Sequence, residues 1–298
     1  MQGRTIIVTG CDEQHHDLAS DLIASLRALP EQAFAVGFVQ LGVAPLPEAI
    51  AGGVDHLVQV DDSAWRARPR AGNPISFLGI KPDLPRLFPG FDIYVWLDGD
   101  TWVQTGAGIA AAAYAAQAAD IAIHPECDLN YFTQPVPNER TVAIYRSLFP
   151  EDMERLIRFP MVNSGVFGGR AGSPLWERWG RVAAELRARA DADPGLHISD
   201  QIPLHWLIFT GQLNVGLLPA IHNWQLYAAL PQVDVARCRL TASTPPHEEI
   251  SILHLSGVTK DQTFTLATTG QAFSFRYRSI MALWAAQDVD LAKAGPKD

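Results

Sequence analysis

Lysine is nearly absent from this chain of 298 residues: Lys81, Lys260, Lys293 and Lys297 stand against nineteen arginines. Positive charge of any kind is scarce, with 23 Lys and Arg against 32 Asp and Glu and a formal charge of −9. That balance excludes a nucleic-acid-binding chain carried by bulk basic surface. Charged residues make up 18% and apolar residues 48%, which excludes disorder and a coiled coil. No apolar run approaches the roughly 18 residues that a membrane span needs, so none is expected. Cysteine is limited to Cys11, Cys127 and Cys238, odd in number and far apart. This argues against a disulfide framework and for a reducing, cytoplasmic setting. The N-terminus has neither the long apolar stretch nor the cleavage site of a signal peptide.

What is present reads as an α/β protein. Short β-rich runs at 5–9, 34–40, 56–60, 93–97 and 121–124 alternate with helical stretches at 17–29 and 106–119, the pattern of a mostly parallel sheet. The second helix is mostly alanine and should lie close on the sheet. Residues 61–74, with Arg66, Arg68 and Arg70, read as a surface loop, either solvated or a lid over an anionic ligand. Beyond Pro125 the alternation weakens. Helices are expected at 138–157, 174–190, 199–210 (capped by Ser199) and 277–292, an apolar run at 162–167, a Pro- and Thr-containing connection at 234–249 and a strand at 252–255. With no repeat and no clean linker, residues 1–298 are expected to form one domain with an elaborated C-terminal half.

The most informative segment is Ile93-Tyr94-Val95-Trp96-Leu97 followed by Asp98-Gly99-Asp100. An unbroken apolar run is what a strand covered on both faces looks like, and ligands of open α/β sheets collect at strand carboxyl ends. Carboxylates at i and i+2 of an extended segment face the same way and suit a hard divalent cation. The other reading is a charged strand-to-loop turn. Asp191-Ala192-Asp193 and Asp288-Val289-Asp290 repeat the spacing without the buried strand and read as solvated surface.

Three further motifs follow: Val162-Asn163-Ser164-Gly165-Val166-Phe167, Ser199-Asp200-Gln201-Ile202, and His254-Leu255-Ser256-Gly257-Val258-Thr259-Lys260. Each alone has a plain explanation: a strand bend with a glycine bulge, a helix N-terminal acid, a satisfied buried histidine. In this order and spacing the set resembles the retaining glycosyltransferases of the GT-A fold, glycogenin and the bacterial lipopolysaccharide galactosyltransferases among them. The resemblance covers about residues 5–260. It implies a single nucleotide-diphospho-sugar transferase domain, a mostly parallel sheet with helices on both faces. Residues 1–124 would form the nucleotide-sugar half and 125–298 the acceptor half with its C-terminal helix.

By that resemblance Asp98, Asp100 and His254 would hold Mn2+ (or Mg2+), a donor set that suits the ion chemically. Lys260 would meet the pyrophosphate of a UDP-sugar, with Gly257 admitting the backbone. Lys81 would lie near the donor sugar. Asn163, Asp200 and Gln201 would surround the reacting carbon, and Thr9 and Asp12 would stand in for the family's base- and ribose-binding turn. Retention of anomeric configuration is implied, through Gln201, Asp200 or front-face attack. The acceptor would be a glycan, a lipid-linked sugar or a small molecule. The two lysines outside the C-terminal tail thus both fall on motif positions, where a compact ammonium fits more readily than a planar guanidinium. Departures exist: the family's Asp-Gln-Asp reads Asp200-Gln201-Ile202, and Val162 replaces an aromatic.

Other readings fare worse. Ile6-Ile7-Val8-Thr9-Gly10 opens like a dinucleotide-binding strand, but the G-x-G-x-x-G is missing and acids follow. The alternative is a metal-dependent nucleotidyltransferase or phosphohydrolase using the same carboxylate pair. A non-catalytic glycan-binding relative would be expected to have lost a ligand, and all three are present.

Overall fold

The computed structural model describes residues 3–60, 79–131, 139–192 and 198–294; the arginine-containing loop lies outside them. The first half follows the expected alternation. Strand β1 (Thr5–Cys11) leads to α1 (His16–Arg27), then β2 (Phe34–Leu41), β3 (His56–Val60), β4 (Ile93–Leu97), the short β5 (Thr101–Val103), α2 (Ala107–Ala118) and β6 (Ile121–Pro125). The second half contributes α3 (Glu139–Leu148), β7 (Val162–Arg170), α4 (Leu175–Ala192), α5 (Gln201–Phe209), β8 (Val215–Leu217), β9 (Trp224–Gln225), β10 (Ile252–His254) and α6 (Tyr277–Ala294).

Seven strands form the central sheet in the order β3-β2-β1-β4-β7-β6-β8. All run the same way except β7, which is antiparallel to both β4 and β6. Alternating side chains feed two cores, as strand periodicity requires. Ile7, Val95 and Leu97 pack with Leu22 and Leu26 of α1 and Ala112 and Ala116 of α2. Ile6, Val8, Tyr94 and Trp96 face the other way, onto Tyr145 of α3, Trp179 and Val182 of α4 and Leu204 and Leu207 of α5. Helices therefore cover both faces, and β4 is buried throughout.

The alanines of α2 let the helix lie almost on the strands. A Cβ placed on Gly168 of β7 would come within 2.7 Å of the Ala112 carbonyl oxygen. A second sheet, β5-β10-β9, stands beside the first, with β10 antiparallel to β5 and parallel to β9.

Three expectations need correction. The helix expected over 138–157 stops at Leu148, and a separate turn follows at Met153–Leu156; Pro150 between them cannot continue a helix. Ser199 is not the cap of α5. Asp200 occupies that position and makes no capping hydrogen bond, because its carboxylate is engaged elsewhere. The connection at 234–249 contains a hairpin strand at Arg239–Thr241, paired with Gln232–Asp234. Among the described residues no helix is long and apolar enough to cross a membrane.

Candidate active site at the carboxyl ends of the strands

The chain runs from β1 outward through β2 to β3, then returns to place β4 on the other side of β1. The carboxyl ends flanking that reversal form the crevice in which α/β sheets collect ligands. Asp98 begins immediately after β4, and its turn is clamped from two sides. The Asp98 N–H donates to the Gly165 carbonyl (2.7 Å), and the Leu255 N–H donates to the Asp100 carbonyl (2.8 Å). The second contact ties the turn to the end of β10, which delivers His254.

The ligand atoms of Asp98, Asp100 and His254 all lie within 4.8 Å of one another. Nε2 of His254 is 3.3 Å from Asp100 Oδ1, and Nζ of Lys260 is 2.8 Å from Asp100 Oδ2. Gly165 makes room for the ring: a Cβ there would sit 2.2 Å from His254 Cε1. Burial by itself would raise the Asp100 carboxyl. The His254 imidazole and the Lys260 ammonium reverse this and hold it well below the usual carboxylate range. His254 in turn is opposed by its burial and raised by Asp100. The pocket is thus built from two carboxylates and an imidazole around one small volume, a donor set that fits a divalent cation such as Mn2+.

Lys81 is only 2% exposed. Its Nζ lies 2.9 Å from Asp98 Oδ1 and 2.5 Å from Asp200 Oδ2, and it donates to the Ser164 carbonyl at 3.1 Å. Burial would lower the lysine, but Asp200 and Asp98 outweigh it and keep the ammonium charged. Asp200 also accepts from the Ser164 hydroxyl at 2.9 Å.

No known family profile matches the sequence, and no curated protein does. Solved structures do. The galactosyltransferase LgtC, in complex with donor and acceptor sugar analogs, matches with a TM-score of 0.58 at 13% identity, over 94% of this chain and 95% of its own. Mouse xyloside xylosyltransferase 1 matches at 0.51 and 14% identity, over 84% of this chain and 96% of its own. The bifunctional glycosyltransferase WbbM matches at 0.57 and 15% identity over 98% of this chain, which spans about half (52%) of that larger protein. The fold is GT-A.

Within this GT-A frame the remaining expected residues take distinct places. Gln201, the first residue of α5, donates through Nε2 to the Val162 carbonyl (2.8 Å) and to Glu126 Oε1 (3.0 Å). Asn163 donates to the same Glu126 oxygen at 2.9 Å. Asp12 follows β1 and pairs with His15 Nδ1 at 2.6 Å, and His15 feels the charges of Lys260 and Asp100. Thr9 lies inside β1, fully buried with its hydroxyl unpartnered, so its side chain is not on the crevice surface. Gly257 has a φ of +65° and open space where a Cβ would be. The backbone conformation, rather than a close neighbour, is what calls for glycine there.

Sequence reasoning missed Glu126, Asn223 and Gln225. Glu126 directly follows β6, and the rule that ligands collect at strand carboxyl ends would have found it. Asn223 and Gln225 lie in no motif and carry no such signal.

Proposed function

We propose that this protein is a metal-dependent, retaining glycosyltransferase that moves a sugar from a nucleotide-diphosphate donor, a UDP-sugar, to a glycan, lipid-linked or small-molecule acceptor. The observation that carries this reading is the convergence of Asp98, Asp100 and His254 within 4.8 Å at the switch point of a GT-A sheet. Residues 1–124 would form the nucleotide side of the crevice and residues 125–298 the acceptor side.

Asp98, Asp100 and His254 would hold Mn2+ or Mg2+. The bound ion would supply positive charge to stabilise the departing nucleoside diphosphate. Lys260 adds an ammonium at the same end, which matters in a protein of formal charge −9, since the general field repels a pyrophosphate. Gln201 is favoured over Asp200 as the group facing the reacting carbon. Its Nε2 is taken by Val162 and Glu126, which leaves Oε1 to face the sugar. Asp200 is held by Lys81 and Ser164 and acts as the anchor of that wall. Asn163, which donates to the same Glu126 oxygen as Gln201, completes it.

The test is incubation with Mn2+ and a panel of UDP-sugars, following release of UDP and the fate of the sugar. At least one donor should yield UDP, dependent on metal and reduced about 100-fold or more by Asp100→Ala. Unchanged turnover in a chelator, or a product in which the nucleotide rather than the sugar is transferred, would overturn the reading.

A further inference from the structure

The direction of the hydrogen bonds behind His254 can be worked out from a donor that cannot be reversed. The backbone N–H of Gly165 donates to Asn163 Oδ1 at 2.9 Å, so that oxygen is fixed as the acceptor end of the amide and Nδ2 points to Glu126 Oε1, 2.9 Å away. A carboxylate accepts only, so both ends of Asn163 agree. Asn223 contacts the same Oδ1 at 3.0 Å and must offer its Nδ2. Its own Oδ1 then faces His254 Nδ1, also at 3.0 Å. Two acceptors would repel at that distance, so the ring nitrogen must carry the proton. Gln225 fits the same scheme: its Nε2 reaches Asn223 Oδ1 at 2.9 Å and the Asn223 carbonyl at 3.3 Å, and its Oε1 accepts from Ser256 at 3.2 Å.

We infer that Asn223, directed by Asn163, is a positioning residue that holds His254 in its Nδ1–H form and leaves the Nε2 lone pair facing Asp100. The relay is nearly sealed from water: Asn163 is 7% exposed, His254 4% and Asn223 0%. In that dry setting a wrong amide orientation leaves a buried polar group unpaired, so the arrangement is strongly specified. In the neutral ring the outcome is a nitrogen lone pair set 3.3 Å from a carboxylate oxygen, two electron-rich atoms that a cation between them, or a second proton on the ring, reconciles. A competing arrangement is close by. Gln225 Nε2 is 3.1 Å from His254 Nδ1 and could donate to it if Nδ1 lost its proton to Nε2, the form that cannot accept a metal. Asn223 Oδ1, which would then face a bare Nδ1 at 3.0 Å, opposes that form. This role deepens the metal-dependent reading, on which its importance for catalysis rests.

The decisive measurement is the 15N spectrum of the His254 ring in the metal-free protein at alkaline pH, where the imidazole is neutral. The expected result is a protonated Nδ1 and a lone pair on Nε2; the opposite tautomer would overturn the inference. Asn223→Leu, close in size but without the acceptor, should move the proton to Nε2 and raise the Mn2+ dissociation constant about 10- to 100-fold. If Asn223→Leu binds Mn2+ as the wild type does, the positioning role fails. If the Leu variant does not fold, the wild-type spectrum still decides. A wild-type ring with Nδ1–H in a protein that binds no Mn2+ would uphold this assignment and sink the metal-dependent reading instead.

Discussion

Lys81 and Asp200, 119 positions apart in the chain, meet at 2.5 Å beside the Asp98 carboxylate. The lysine is buried, and burial pushes the Asp200 carboxyl up while Lys81 pulls it down, so each of the two supports the other's charge. Asp200 is held below its ordinary range by Lys81 and Ser164 against the opposing effect of burial. Removing one member of such a set strands the rest. Lys81→Met should therefore destabilise the fold by about 3 kcal/mol in urea denaturation. The double change Lys81→Met with Asp200→Asn should recover part of that loss. A Lys81→Met protein as stable as the wild type would mean that the ammonium does not hold this wall.

Gly165 and His254 make the second test. An added Cβ at 2.2 Å from the ring and 2.9 Å from Asn163 Oδ1 forces one of them to move. Gly165→Ala should keep a cooperative unfolding transition yet weaken Mn2+ binding at least about tenfold, as expected when a ligand's orientation is lost. Titration calorimetry with Mn2+ reads this directly, and unaltered affinity would show that the ring's seat is not needed.

Acid should destabilise the protein through two buried histidines, His124 and His205. Burial pushes His124 down to about 4, against a small opposing pull from the Leu218 carbonyl, and pushes His205 down to about 4 as well. Their folded-state values lie below the unfolded value near 6.5, so the unfolded chain binds more protons between those limits. Stability then rises with pH across the window from about 4 to about 6.5 and is lost on acidification, by roughly 2–3 kcal/mol per histidine at the lower end. Denaturation midpoints measured across this range should show the slope, and His124→Gln should flatten it. A profile level from pH 4 to 7 would contradict the burial argument.

The parts legible in the sequence are those written locally. The apolar run 93–97 ending in Asp98-Gly99-Asp100 is a covered strand at a sheet's carboxyl edge, because burial on both faces leaves no alternation to disguise it. The scarcity of lysine singles out Lys81 and Lys260, and both stand at the crevice. What Lys81 touches was hidden, since its ion partners come from β4 and the start of α5. The direction of β7 is equally hidden: eight of its nine residues are buried, and such a run reads the same whichever way it points. Asn223 lies in an unremarkable segment and acquires its place only when β9 and β10 pair. Ser199 reads as a cap because serine caps helices well; the structure instead puts Asp200 at that position and commits its carboxylate to Lys81.

The reversed strand β7 has a consequence for how this protein is made. It fills the space between β4 and β6, pairing Leu97 with Val166 on one side and Ala122 with Gly168 on the other, yet it leaves the ribosome after both. Until residue 170 has emerged, two apolar strands expose unsatisfied backbone edges to each other and to any neighbouring chain. Nascent molecules paused in that interval are the ones a chaperone should capture.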